Sequence, residues 1–171
     1  MNLIKALFLD FDGVLNHRKW IADVNAKCDE ENLPIHELIK NQFRELDAVC
    51  VARINKIVEA TGAKIVVSST WRLGRTVKQL QELLDKNGFI GEVIDTTPHL
   101  VIPGVASVRR GPEIQAWFDE AKKEGLWEIE SFVIIDDESE MEPFLDKLVK
   151  TSFEAGILDE HVELAIKMLE E

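Results

Sequence analysis

Two carboxylates separated by one residue, Asp10 and Asp12, directly follow an apolar segment near the start of the 171-residue chain. The segment, Ala6-Leu7-Phe8-Leu9, is typical of a buried strand. Burying an unpaired carboxylate in a dry interior is costly, so we expect the strand to end here. Both carboxylates should then face a pocket or share a cation, which predicts a site at the carboxyl end of this strand.

Two further apolar, strand-like segments also end in polar side chains. One ends in the hydroxyls of Ser68, Ser69 and Thr70, and the other ends in Asp136-Asp137. The aspartate pair, taken alone, is explained equally well as a helix cap, and an ordinary cap of the next turn is the better explanation of the hydroxyls alone. Because strand side chains alternate, Ser68 and Ser69 should face opposite ways, so only one of them is expected to act at the site.

The elements that position these residues follow an alternating pattern of strands and amphipathic helices. We expect further strands at about 92–95 and 148–151, and helices at 47–60, 76–86, 112–124, 142–147 and from 159 onward. This order predicts an α/β, Rossmann-like, doubly wound parallel sheet with helices on both faces. Ligands of such sheets bind outside the carboxyl ends of the strands, where the polar residues would meet.

The length favours one domain over residues 1–171. Residues from about 16 to 46 are more polar and contain breaker signals, so we expect a short cap-like insertion of helices or loops. The stretch from 96 to 109 has few periodic cues and two prolines, so it is expected to be a loop.

A net charge of −12 disfavours tight, non-specific binding to nucleic acid. The chain has no apolar run long enough for a membrane span and no leader of basic and apolar residues, so we expect a cytoplasmic protein without a membrane partner. Cys28 and Cys50 form no CxxC pair and are expected to stay reduced. Nothing in the sequence indicates an oligomeric state.

Carboxylates from two strands would repel one another in one crevice unless a cation joined them. Oxygen ligands suit a hard ion, and Mg²⁺ is the usual one beside phosphate. A phosphoryl group would also need a fixed positive partner, for which Arg110 and Arg72 are better placed than Arg75 and Arg109. Trp71, next to the hydroxyls, is expected to pack rather than to line a pocket.

Three segments together resemble the haloacid dehalogenase superfamily, whose members are mostly Mg²⁺-dependent phosphatases. Asp10-Phe11-Asp12-Gly13-Val14-Leu15 is similar to its first motif, DxDGxL. Lys64 to Ser69 resembles the second motif, and Val133 to Asp137 resembles the fourth. The third motif, usually a lysine before a helix, is assigned here to Arg110, with Arg109 as the alternative.

The resemblance implies a mechanism. Asp10 would attack phosphorus to form an aspartyl-phosphate, and Asp12 would act as general acid and then general base. The predicted Mg²⁺ ligands are Asp10, the main-chain carbonyl of Asp12, Asp136 and Asp137. The predicted phosphate-binding residues are Ser69, Thr70, Arg110 and Arg72.

A narrower resemblance links the chain to the dehalogenase-type domains of multifunctional RNA-repair proteins. It rests on Ser69-Thr70-Trp71-Arg72, Arg110-Gly111 and Ile135-Asp136-Asp137. The expected function is phosphomonoester hydrolysis, on a phosphorylated small molecule such as a nucleotide or on a nucleic-acid end. The alternatives are a catalytically weak phosphate-binding or interaction module on the same fold, and a phosphotransferase.

Overall fold

The computed structural model of the protein describes residues 2–34, 37 and 46–171. Its strands form one parallel sheet in the order β3-β2-β1-β4-β5. The strands are β1 (Asn2–Leu9), β2 (Lys64–Val67), β3 (Val93–Thr96), β4 (Trp127–Asp136) and β5 (Leu148–Lys150). The predicted Rossmann-like α/β class is confirmed.

Five α-helices of the described residues accompany these strands, and three of them begin at side chains that cap the helix. They are α1 (Arg18–Glu30), α2 (Ala48–Thr61), α3 (Val77–Lys86), α4 (Arg110–Glu124) and α5 (Asp159–Glu170). The Asp47 carboxylate accepts from the N–H of Val49 to begin α2, and Gly62 ends that helix in the left-handed conformation. Thr76 and Gln79 form a capping box at the start of α3.

The fully buried side chains of the second half of β1, from Ala6 to Leu9, alternate between two core layers. Leu7 and Leu9 pack in the layer that contains residues of α2, α3 and α5. Ala6 and Phe8 pack in the layer that contains residues of α4, where the rings of Phe8 and Trp117 meet edge to face with centroids 5.2 Å apart. Burial on both faces explains why this half of β1 is a continuous run of apolar residues.

The carboxyl ends of β1, β2 and β4 meet at one edge of the sheet. Leu9 is in register with Val67 on one side and with Ile135 on the other. Two backbone hydrogen bonds continue these ladders past the strand ends, from the N–H of Asp10 to the carbonyl of Ile135 and from the N–H of Ser68 to the carbonyl of Leu9. The register therefore brings the polar residues that follow the three strands side by side.

The helix expected at 142–147 is wrong. The chain there makes only a 3₁₀ turn, Leu145–Lys147, before β5. Pro143 provides no backbone N–H, and Met141 is fully buried in the α4 layer. So short a segment gains too few hydrogen bonds to offset the cost of nucleating an α-helix.

The insertion expected at about 16–46 contains α1, which begins at the His17 cap. Residues 35, 36 and 38–45 of this insertion lie outside the described residues.

Every helix within the described part of the chain is too short or too polar to span a lipid bilayer.

Candidate active site

Three of the four predicted acidic residues gather at the shared strand edge. Asp10 follows β1, Asp136 ends β4, and Asp137 comes next along the chain. One carboxylate oxygen from each of the three lies within 4.8 Å of the others. Asp10 is 4% exposed and Asp136 is completely buried, so their charges are shielded from water.

Burial of these carboxylates, together with their close approach, makes their ionised forms unfavourable. Burial, followed by repulsion from Asp136, raises the pKa of Asp10 to about 7, although Arg110 and the Ser69 hydroxyl act in the opposite direction. Burial likewise raises the pKa of Asp136 to about 6, and it raises the pKa of Asp137. A divalent cation bound by these oxygens would remove the repulsion, and an all-carboxylate set of ligands suits Mg²⁺.

Arg110, the first residue of α4, lies between the two buried carboxylates. Its Nη2 is 3.6 Å from Oδ1 of Asp10, its Nε donates to Oδ2 of Asp136 at 3.2 Å, and its Nη1 donates to the carbonyl of Ser68. Arg109 instead pairs with Glu140 at 3.0 Å, where both side chains are mostly exposed. The structure thus places Arg110, and not Arg109, beside the predicted nucleophile.

The start of α4 can lie this close because residue 111 is glycine. A Cβ at Gly111 would be 2.0 Å from the backbone oxygen of Glu142. The missing side chain therefore lets the first turn of α4 dock and fixes where the guanidinium of Arg110 enters the site.

The hydroxyls after β2 have three different surroundings. The fully buried Ser69 hydroxyl accepts from the N–H of Trp71 at 3.3 Å, and it acts to lower the pKa of Asp10. Thr70 is exposed and lines the cavity beside the site. The Ser68 hydroxyl is buried without a hydrogen-bond partner among the described residues, while its carbonyl accepts from Arg110.

Arg72, predicted to bind substrate phosphate, is only 5% exposed. Its guanidinium donates to Oε2 of Glu113 at 2.6 Å and to the carbonyls of Ser68, Ser69, Thr97 and Pro98 at 2.8–3.2 Å. These contacts tie the end of β2 to the loop after β3 and to α4. They favour a role for Arg72 in building the site, and its phosphate contact stays a prediction.

Asp12 lies outside the group of three carboxylates that come within 4.8 Å of one another. Its Oδ1 accepts from the amide of Asn16 at 2.9 Å, and its Oδ2 accepts from the indole N–H of Trp71 at 3.0 Å. Asn16 was not predicted as a site residue, although its position four residues after Asp12 in a glycine turn was the available signal. Trp71 was expected only to pack, and no sequence pattern indicates the contact that its N–H makes.

Gly13 allows Asp137 to approach the turn after β1. Its φ of +76° lies in the left-handed region, and a Cβ built on it would be 2.3 Å from Oδ2 of Asp137. The hydroxyl of Thr151 holds the same turn by donating to the carbonyl of Gly13 at 2.7 Å. The fourth residue of the motif therefore needs glycine both for its backbone angle and for the space that Asp137 fills.

Gly13→Ala is expected to weaken Mg²⁺ binding about tenfold or more, because the new methyl group displaces Asp137. Backbone strain should also lower the free energy of unfolding by about 1–3 kcal/mol. Calorimetric titration with Mg²⁺ and thermal denaturation measure the two effects. Gly125→Ala is the matched control, since Gly125 has a φ of +64° and open space around its Cβ. Equal losses of Mg²⁺ affinity in both variants would contradict this account of Gly13.

A second group of candidate ligand side chains lies near the start of α2 and consists of His17, Asp47 and Cys50. His17 Nε2 is 2.8 Å from Oδ2 of Asp47, and the Cys50 thiol donates to the same oxygen at 3.7 Å. Burial raises the pKa of Cys50 to about 12, so the thiol stays protonated. We interpret this group as a partly buried polar contact that joins the starts of α1 and α2. Cys28 and Cys50 are both free thiols.

The parallel sheet with carboxylates at its strand ends defines a haloacid dehalogenase-type (HAD) domain. Comparison with known families gives a narrower result, because residues 6–162 match the model of the HAD domain in Swiss Army Knife RNA repair proteins. The chain belongs to this family, as its motifs predict. No curated protein and no solved structure gives a significant match. Membership indicates hydrolase chemistry of the phosphatase type.

Proposed function

We propose that the protein is a Mg²⁺-dependent phosphomonoesterase that acts through an aspartyl-phosphate on Asp10. The observation that supports this most strongly is the position of Arg110, 3.6 Å from the carboxylate of Asp10 and hydrogen-bonded to Asp136. A buried carboxylate beside a buried guanidinium suits attack on phosphorus, because the cation can stabilise the charge of the phosphoryl group in the transition state.

The metal would be held by Asp10, Asp136 and Asp137, together with the main-chain carbonyl of Asp12. The raised pKa of Asp10 and Asp136 supports this assignment, since burial disfavours both negative charges and Arg110 offsets that effect only in part. When bound, Mg²⁺ supplies Lewis-acid polarisation of the phosphoryl oxygens and neutralises the carboxylates.

In the first step, an oxygen of Asp10 attacks phosphorus, and the bond between phosphorus and the leaving oxygen breaks. Asp12 gives its proton to that oxygen. In the second step, water attacks the same phosphorus and loses a proton to the Asp12 carboxylate. The bond from phosphorus to Asp10 then breaks, which releases inorganic phosphate and restores both carboxyl groups.

The substrate that the site suits is a nucleotide or the terminal phosphate of a nucleic acid. A cavity of about 680 Å³ borders Arg110 and Asp137, and its walls come largely from the loop after β3. Val101, Ile102 and Val105 expose apolar surface there, which suits one face of a nucleobase. Carboxylates also line the cavity, and the chain carries a net charge of −12, so we expect an end group to bind rather than a long polyanionic strand.

Phosphate release should depend on Mg²⁺ and fall by at least about 100-fold when EDTA removes the metal, with full recovery after Mg²⁺ is restored. The assay compares a 3′-phosphorylated oligonucleotide, mononucleotides, a sugar phosphate and p-nitrophenyl phosphate. We expect the oligonucleotide or the nucleotides to have the highest kcat/KM. Phosphate binding without any hydrolysis across the whole panel would instead favour the phosphate-binding module.

A further inference from the structure

Both carboxylate oxygens of Asp12 are held by N–H donors from separate parts of the chain. The indole Nε1 of Trp71 lies 3.0 Å from Oδ2, and the amide nitrogen of Asn16 lies 2.9 Å from Oδ1. Asn16 is itself fixed, because its side-chain oxygen accepts from the N–H of Gly13 at 3.2 Å. Two such contacts determine the rotation of the Asp12 side chain.

The indole of Trp71 is held in place by contacts that do not involve Asp12. Its ring centroid is 5.4 Å from that of Phe11, and the guanidinium carbon of Arg75 lies 5.8 Å from its centroid. Arg75 also donates to the carbonyl of Trp71 at 2.8 Å, and the backbone N–H of Trp71 donates to the hydroxyl of Ser69. The indole N–H therefore reaches Asp12 from a fixed position on the segment that carries Ser69.

The two donors keep Asp12 apart from its acidic neighbours. Asp10, Asp136 and Asp137 approach within 4.8 Å of one another, and Asp12 is absent from that group. A carboxylate that turned toward this group would add a further ligand to the proposed metal site and would no longer face a leaving group. Each oxygen of Asp12 keeps a second acceptor position, so one N–H per oxygen leaves room for a transferred proton.

We propose that Trp71 is a positioning residue for the general acid and base. Its indole N–H, with the amide of Asn16, fixes the Asp12 carboxyl where it can exchange a proton with the leaving group and with water. This inference rests on the proposed phosphatase function. It assigns to Trp71 a role in catalysis that its apolar contacts alone would not give it.

Trp71→Phe removes the donor and keeps an aromatic ring against Phe11. In single-turnover experiments, transfer of the phosphoryl group from an alkyl phosphate such as glycerol phosphate to Asp10 should slow about 10- to 100-fold. The reason is that the leaving alkoxide needs a well-placed proton. Transfer from p-nitrophenyl phosphate should change less than threefold in the same variant, because p-nitrophenolate leaves without a proton. Trp127→Phe, at the opposite end of the sheet and equally half-buried, is the matched control and should affect neither rate.

A double-mutant cycle with Asp12→Asn tests whether Trp71 acts through Asp12. In that background, Trp71→Phe should cause no further loss of the alkyl-phosphate rate. The four tryptophans should give four indole N–H signals in a nitrogen–proton correlation spectrum, and Asp12→Asn should shift the signal that Trp71→Phe removes.

Three outcomes separate this inference from the function on which it rests. Two outcomes in an otherwise active enzyme would overturn the positioning role. One is that Trp71→Phe slows phosphoryl transfer equally from both substrates, and the other is that Asp12→Asn leaves the indole N–H signal of Trp71 unchanged. A wild-type protein that hydrolyses no phosphomonoester would overturn the proposed function itself.

Discussion

Asp10→Asn is expected to lower phosphate release by at least about 10⁴-fold, because the amide cannot form the aspartyl-phosphate and nothing else at the strand edge replaces it. The variant should remain folded. Burial and Asp136 raise the pKa of Asp10, so its negative charge at pH 8 costs stability in metal-free protein, and a neutral amide avoids that cost. Its melting temperature in EDTA at pH 8 should therefore equal or exceed that of the wild type.

The matched control for this variant is Asp95→Asn. Asp95 is a half-buried carboxylate of β3 that accepts from the indole N–H of Trp117 at 2.8 Å, away from the group around Asp10. Its replacement should leave kcat within about threefold of the wild type, since Asp95 contacts none of the proposed catalytic groups. Asp10→Asn with more than about 1% of wild-type activity would rule out Asp10 as the nucleophile.

Arg110→Met is expected to lower kcat/KM by about 10²- to 10³-fold, since it removes the cation that lies beside Asp10 and that we propose binds the phosphoryl group. Removing one partner from a buried ionic group leaves uncompensated charges, so the free energy of unfolding in EDTA should fall by about 3–5 kcal/mol. Added Mg²⁺ should restore part of this stability but not the activity. Steady-state kinetics and denaturant titration, each with and without Mg²⁺, measure these effects.

Two related variants test whether the effect depends on the shape of the guanidinium and on which of the two neighbouring arginines is replaced. Arg110→Lys keeps the charge but loses the planar set of donors, so its kcat/KM should lie between those of the wild type and Arg110→Met. Arg109→Met removes the neighbouring, exposed guanidinium, which pairs with Glu140, and should retain nearly full activity on p-nitrophenyl phosphate. A larger loss in Arg109→Met than in Arg110→Met would transfer the third-motif role to Arg109.

The fold could be predicted because its central strands are buried on both faces. Apolar runs mark the second half of β1, β2 after Lys64 and the second half of β4. Each run is followed by polar residues that could only be accommodated at the sheet edge. The first half of β4, Trp127 to Glu130, alternates between half-buried and exposed residues and was missed. Its short period-two pattern lies next to α4, where helical periodicity dominates the sequence.

The site itself was only partly predictable, because several of its contacts join residues far apart in the chain. The pairing of Arg72 with Glu113 spans 41 positions, and that of Trp71 with Asp12 spans 59. Side-chain type alone did not distinguish a guanidinium that ties loops together from one that lies beside the predicted nucleophile, so Arg72 and Arg110 were both expected to bind phosphate, although only Arg110 was assigned to the third motif. The surroundings of Arg72 and Arg110 differ because of the way α4 packs against the strand ends, which the sequence alone does not indicate.

The central claim, a phosphoryl group carried by Asp10, is tested most directly by trapping the intermediate. Asp12→Asn lacks the base for the second step, so with p-nitrophenyl phosphate and Mg²⁺ it should accumulate the aspartyl-phosphate, which borohydride reduces to homoserine. Mass spectrometry of the peptide that contains β1 should find homoserine at position 10, and only when both substrate and Mg²⁺ are present. Release of p-nitrophenol with position 10 unmodified, or with the modification at another residue, would contradict the mechanism.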